Sequence, residues 1–220
     1  MKLIDNLYAY PWTQTIANNC NTYLVDSAPG MMLDPGHSQL YGHVETGLSQ
    51  DEINPAPQLI VLSHSHPDHL EAAAELQGQG ARVAIHPVEA QYMDGEGRQL
   101  AAALGMPAPE LTADIFLEEG ELEVGQETFQ VIHTPGHSPG HICLYQPRLK
   151  ALFSGDLVFV QGVGRVDFPG GDGQKLKESI KRVSGLDIEW LLPGHGPILK
   201  GAEQVKRNFE LIESSYFAML

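Results

Sequence analysis

The chain has 220 residues, long enough to bury a core in one large domain or two small ones. Its 28 Asp and Glu outnumber 13 Lys and Arg, for a formal charge of −15. That balance argues against nucleic acid as a partner and against an anionic membrane surface.

Twenty-three glycines and 15 prolines point to many short strands joined by turns. In chain order, Leu3 to Tyr10 is a mixed, strand-like start. Asn21 to Asp26 reads as a strand, Ala28-Pro29-Gly30 as a turn, and Met31 to Asp34 as another short strand. Gln39 to Leu48 repeats Leu40, Val44 and Leu48 on one helical face. Leu59 to Leu62 is a continuous apolar run, as in a strand covered on both faces. A helix is expected from Asp68 to Leu76, a strand over Arg82 to Ile85, and a glycine-interrupted helical stretch over Pro87 to Leu104. Beyond Pro107 and Pro109 come strands at Ile115 to Leu117, Glu121 to Val124, Thr128 to His133, Ile142 to Tyr145 and Ala151 to Ser154. Asp172 suits an N-cap for a helix carrying Leu176, Ile180 and Val183. A strand over Ile188 to Leu192 precedes a last helix with Val205, Phe209, Ile212 and Tyr216 on one face. Strand groups with helices around them suggest two packed sheets with helices outside, an α/β chain built as a four-layer αββα sandwich.

No apolar run approaches the roughly 18 residues that a bilayer crossing needs. Asp5 interrupts the N-terminus where a secretory leader is apolar. Cys20 and Cys143 sit in apolar, strand-like segments and read as buried free thiols in a reducing compartment. A cytoplasmic enzyme is the expectation.

The strongest chemical signal is Ser63-His64-Ser65-His66-Pro67-Asp68-His69, directly after the apolar run. In extended chain His64 and His66 project to one side. Asp68 and His69 fall at a helix start, which favours an ionised carboxylate. That is more ligand than one tetrahedral ion takes from a single loop. Three more polar points end apolar strands: Gly136-His137, Gly155-Asp156 and Gly194-His195-Gly196. Together they supply five histidines and two aspartates, enough for two metals.

These residues carry a resemblance to the metallo-β-lactamase-fold superfamily over essentially the whole chain, read as a single domain spanning 1–220. The His-x-His-x-Asp-His signature is met at His64, His66, Asp68 and His69, and the later ligands match His137, Asp156 and His195. The resemblance implies the αββα sandwich with metals at one edge between the sheets. It gives His64, His66 and His137 to a first metal, Asp68, His69 and His195 to a second, and makes Asp156 the bridge. It also makes Asp68 and Asp156 catalytic: Asp68 assists proton transfer, and Asp156 sets the metal separation.

Thr134 to His141, Phe153 to Asp156 and Gly162 to Arg165 resemble the glyoxalase II-like hydrolases, which implies a small thiol-conjugate ester or thioester as substrate. Val163 and Arg165 stand where glyoxalase II has Cys and Lys. Gly164 to Phe168 also resembles the persulfide dioxygenases, which hold one iron with the residues matching His64, His137 and Asp156. The expected activity is therefore dinuclear ester or thioester hydrolysis. Persulfide oxidation is the alternative, with a lactonase or phosphodiesterase as further ones. Zinc is the first expectation for the metals, ahead of iron or manganese.

Around this set, His141 suits a hydrogen-bonding role behind the ligands rather than ligation. Arg165 could orient an anionic substrate group or pair with Asp167. His133 reads as a packed strand residue, and His37, His43 and His86 as surface residues. Asp34 reads as a turn acid near the site, and Tyr145, Phe159 and Trp190 as core.

Overall fold

Alternation along the strands sets the layering. In the strand Thr22–Val25 (β3), Tyr23 and Val25 pack into the core between two sheets, while Leu24 packs outward under helices. The same holds in Leu59–Val61 (β5), with Leu59 and Val61 inward and Ile60 outward. On the other sheet, Ile142–Gln146 (β10) sends Ile142 and Leu144 inward and Cys143 and Tyr145 outward. Ala151–Gly155 (β11) sends Phe153 inward and Leu152 outward. Each strand is apolar on both faces because each sheet is covered on both.

The computed structural model describes residues 1–54, 57–103, 105 and 110–220. One seven-stranded sheet runs in sequence order from Lys2–Ile4 (β1) and Leu7–Tyr10 (β2) through β3, Met31–Leu33 (β4) and β5 to Arg82–Ile85 (β6) and Ile115–Phe116 (β7). Its first four strands are antiparallel, and β4 to β7 are parallel. Helices Gly42–Gln50 (α1) and Pro67–Gly78 (α2) cover its outer face through Val44, Leu70, Ala73 and Leu76.

The second sheet holds Gly120–Val124 (β8), Glu127–His133 (β9), β10, β11, Trp190–Pro193 (β14) and Leu199–Lys200 (β15). Its outer face is covered by Gly173–Ser184 (α5) and Ala202–Tyr216 (α6) through Leu176, Ile180, Val205, Phe209 and Ile212. A short hairpin, Val158–Phe159 (β12) with Gly162–Val163 (β13), lies between β11 and α5. This is the αββα sandwich that the sequence pattern and the resemblance both suggested.

Three local readings change. The strand-like start divides into β1 and β2 around Asp5-Asn6, with Asp5 at φ +42°. The helix expected from Gln39 begins at Gly42, after a 3-10 turn over Ser38–Leu40. The stretch from Pro87 is Pro87–Tyr92 (α3), a π turn over Met93–Gly97 and Arg98–Ala103 (α4), the π turn coinciding with Gly95 and Gly97. Leu104, where that stretch was expected to end, and Pro107 and Pro109 beyond it lie outside the described residues.

The polarity of the strands positions the site. The C-terminal ends of β4 and β5 meet those of β9, β11 and β14 along one edge. There the sheets are stitched together by Ile142 N–H to Ser63 C=O at 2.9 Å and Asn21 N–H to Gly194 C=O at 2.6 Å. Crevices beyond strand ends are where α/β folds place their chemistry.

Candidate metal centre

The seven residues singled out from the sequence converge on that edge. His64 and His66 lie on the turn after β5, and Asp68 and His69 in the first turn of α2, where Pro67 takes the N1 position. His137 follows β9, Asp156 follows β11, and His195 follows β14. Their ligand atoms form three groups, in each of which all lie within 4.8 Å of one another. These are His64, His66 and His137; Asp68, His69 and His195; and His64, His69 and Asp156.

Asp156 sits between the halves. Its Oδ2 is 3.5 Å from His137 Nε2 and 3.4 Å from His195 Nε2, and its Oδ1 is 3.3 Å from His69 Nε2. Glycine lets the last turn close on this carboxylate: a Cβ at Gly194 would collide with Asp156 Oδ1.

The hydrogen bonds behind the ring fix the tautomers. His137 Nδ1–H donates to the Arg165 carbonyl at 2.8 Å, so in the neutral ring it is Nε2 that carries the lone pair. Ser63 Oγ spends its proton on Asp34 Oδ2 at 2.6 Å and so accepts from His64 Nδ1–H at 3.0 Å, which leaves His64 Nε2 a lone pair too. Yet these two Nε2 atoms are 3.2 Å apart. Lone pair facing lone pair is repulsive unless an electrophile is shared between them. His66 Nε2 and Asp156 Oδ1 are also buried without a hydrogen-bond partner among the described residues. The donor set and these orphaned atoms fit divalent metal ions.

The two halves differ electrostatically. Burial, reinforced by the neighbouring histidines, pushes His64 well below its usual range and His66 down to about 3. Burial also opposes charge on His195, but Asp156 and Asp68 overcome it and raise it to about 9. Asp156, with Cys20 and Asp34, likewise overcomes burial at His69 and lifts it well above its usual value. Asp68 and Asp156 are held below the ordinary carboxylate range against burial, by His195 and His69.

Several other readings resolve here. His141 stays out of the ring: its Nε2 accepts from Asp156 N–H at 3.1 Å, and its Nδ1–H donates to Thr134 Oγ1 at 2.8 Å. Arg165 forms a two-bond pair with Asp167, at 2.7 Å each, and stacks over Phe168 at 3.6 Å. Asp34 does more than hold a turn. It accepts from Ser63 N–H at 2.8 Å and from His69 Nδ1–H at 3.0 Å, orienting a ligand-bearing ring from full burial.

His86 is a correction: it is buried, caps α3 by accepting from Val88 N–H, and stacks on His133 at 4.2 Å. His37 and His43 are half-buried rather than on the surface, His37 pairing with Glu71 at 2.8 Å. Phe159 is half-buried with its ring 5.8 Å from that of His195, so it borders the site instead of the core. Cys20 and Cys143 are buried and unbridged, as read.

Sequence reasoning passed over Glu89, Asn21 and Asn18. Asn18 donates to Asp68 Oδ2 at 2.6 Å. Asn21 donates to the Pro193 and Gly196 carbonyls on either side of His195 at 3.0 and 2.9 Å. Only the run Asn18-Asn19-Cys20-Asn21, polar where a strand was about to begin, hinted at them.

A family model described as the metallo-beta-lactamase superfamily matches residues 15–195, a span containing all seven donors. The chain belongs to the metallo-β-lactamase superfamily. Within it, the chain is 30% identical over 201 residues to the hydroxyacylglutathione hydrolase GloC of Haemophilus influenzae, covering 86% of this chain and 91% of that one. It is 38% identical over 128 residues to an Aquifex aeolicus protein, of which it spans 60%. Among solved structures, TTHA1623 in a di-iron-bound form is 35% identical with a TM-score of 0.72, covering 96% of this chain and all of that one. Superfamily and donor cluster together fit a metal-dependent hydrolase. No helix among the described residues is long and apolar enough to cross a membrane.

Proposed function

We propose that this superfamily member hydrolyses a small ester or thioester at two divalent metal ions, zinc foremost, with a hydroxyacyl thiol conjugate as substrate class. The observation that carries this reading is the pair of donor triads sharing one carboxylate, Asp156. Metals held there would lower the pKa of water from 15.7 to about 7 and polarise the scissile carbonyl.

The chain's own residues do the rest. His64, His66 and His137 form the inner wall, each buried. Asp68 and His195 are the more open members and mark the side from which substrate enters. Asp68, aligned by Asn18, faces both the cluster and that open side, so its carboxylate can pass the proton of the attacking water to the leaving group. Water adds to the acyl carbon, the C–S or C–O bond breaks, and the departing thiolate or alkoxide takes that proton. Phe159 and Phe168 flank the opening beside His195 and His66. The relative named a hydroxyacylglutathione hydrolase, alike over most of both chains, supports the thiol-conjugate class.

A one-iron dioxygenase would use only His64, His137 and Asp156. The equal assembly of Asp68, His69 and His195 favours the two-metal hydrolase. Protein purified without added metal should carry two ions per chain and cleave S-lactoylglutathione. One iron per chain with oxygen uptake on glutathione persulfide would replace this reading with the dioxygenase. Turnover confined to lactones or phosphodiesters would keep the centre and change the substrate.

A further inference from the structure

Glu89, in α3, is fully buried, and its carboxylate is saturated by four neutral donors. Oε1 accepts from Ser65 N–H at 2.8 Å and Ser65 Oγ–H at 2.7 Å. Oε2 accepts from Ser138 Oγ–H at 2.9 Å and Gly140 N–H at 2.8 Å. Ser65 lies between His64 and His66, and Ser138 directly follows His137. One carboxylate therefore grips both loops that carry the inner triad, with one oxygen on each. Gly140 is what allows the grip, since a Cβ there would collide with the Glu89 backbone.

The outer triad hangs from other groups. Asp34 holds His69, and Asn21 brackets the His195 turn. Burying a carboxylate with no cation among those four partners is costly, and four directed hydrogen bonds are what offset the cost.

We propose that Glu89 is a positioning residue for the inner metal site alone: it fixes the separation of His64 and His66 from His137, and hence the affinity of that half for its ion. The inference rests on the metal-centre reading above. An amide at this position would turn a donor toward two donors, so Glu89→Gln should spread the two loops.

The test is zinc affinity by chelator competition, with no activity readout, in two backgrounds. In His195→Ala the surviving ion sits in the inner half, and adding Glu89→Gln should raise its Kd by about 10–100-fold, the usual effect of groups that orient metal ligands. In His137→Ala the surviving ion sits in the outer half, and the same addition should leave its Kd unchanged. Equal weakening in both backgrounds would mean that Glu89 merely supports the fold, and no weakening in either would mean it positions nothing; each overturns the proposal. If Glu89→Gln does not fold, Ser138→Ala removes one of the four bonds and should give a smaller shift with the same background dependence. Its absence overturns the proposal equally. Wild-type protein that binds no zinc removes the metal-centre reading, and this inference with it.

Discussion

The inner and outer halves of the donor cluster are built from the same sheet edge, yet they differ in chemistry. The inner half is three buried imidazoles, two of them, His64 and His66, pushed toward the neutral form by burial and by neighbouring histidines of both halves. The outer half pairs two imidazoles with Asp68, and the surrounding carboxylates hold both rings toward the protonated form. A cation entering the inner half meets ready lone pairs, whereas in the outer half it competes with protons. The difference comes from where the carboxylates sit. Asp34, Asp68 and Asp156 all face His69, while at the inner loops Asp34 and Glu89 meet serines and backbone amides rather than the His64 and His66 rings. On the two-metal reading proposed above, the inner half is expected to be the tighter seat and the outer half the exchangeable one.

Breaking the member common to both halves has the largest expected effect. Asp156→Ala should lose both ions to a mild chelator. It should cut hydrolysis by more than the roughly 100-fold that residues acting only behind the ligands cost. Metal analysis after gel filtration, with rates on a thioester, checks both. Asp34→Asn places an amide against His69 Nδ1–H and Ser63 and should weaken the outer ion by about 10–100-fold, with a smaller loss at the inner ion because Ser63 backs His64. Chelator competition in the two single-site backgrounds reads the two losses apart.

Asn21→Ala removes a donor from the buried Pro193 carbonyl, which keeps Tyr23 Oη–H, and from the carbonyl of exposed Gly196, and should cost about 1–2 kcal/mol by denaturant unfolding, with a smaller loss of outer-site affinity.

The smallest effect sharpens the contrast with a histidine pair outside the cluster. Burial, with His133 stacked against it, lowers His86 to about 4. Between pH 6.5 and 4 the unfolded chain binds the proton that the folded one refuses. The stability from neutral His86 is thus whole above 6.5 and lost as pH falls toward 4. His86→Asn keeps an N-cap side chain and should flatten the acid side of the Tm profile, by roughly 2–4 °C per kcal/mol.

What the sequence made legible follows from periodicity and spacing. Leu59 to Leu62 read as a doubly covered strand because it is apolar on both parities, and the donors stood out as His or Asp beside Gly or Pro at strand ends. Glu89 and Asn21 gave no such signal. A lone acid in a helix and an asparagine before a strand look like solvent-facing residues until the fold brings distant loops onto them. Asp34 was placed near the site, but its grip on His69, 35 residues away, is a tertiary fact. β12, β13 and β15 are two-residue pairings, too short for an alternating pattern. His86 was misread because its burial depends on the stack with His133, 47 positions on.

The most direct test of the two-seat account is a calorimetric titration of metal-free protein with zinc. Two successive binding steps of unequal affinity, the tighter surviving His195→Ala and the weaker surviving His137→Ala, are the predicted result. A single step of one ion per chain, or a tighter step that vanishes with His195→Ala, would contradict it.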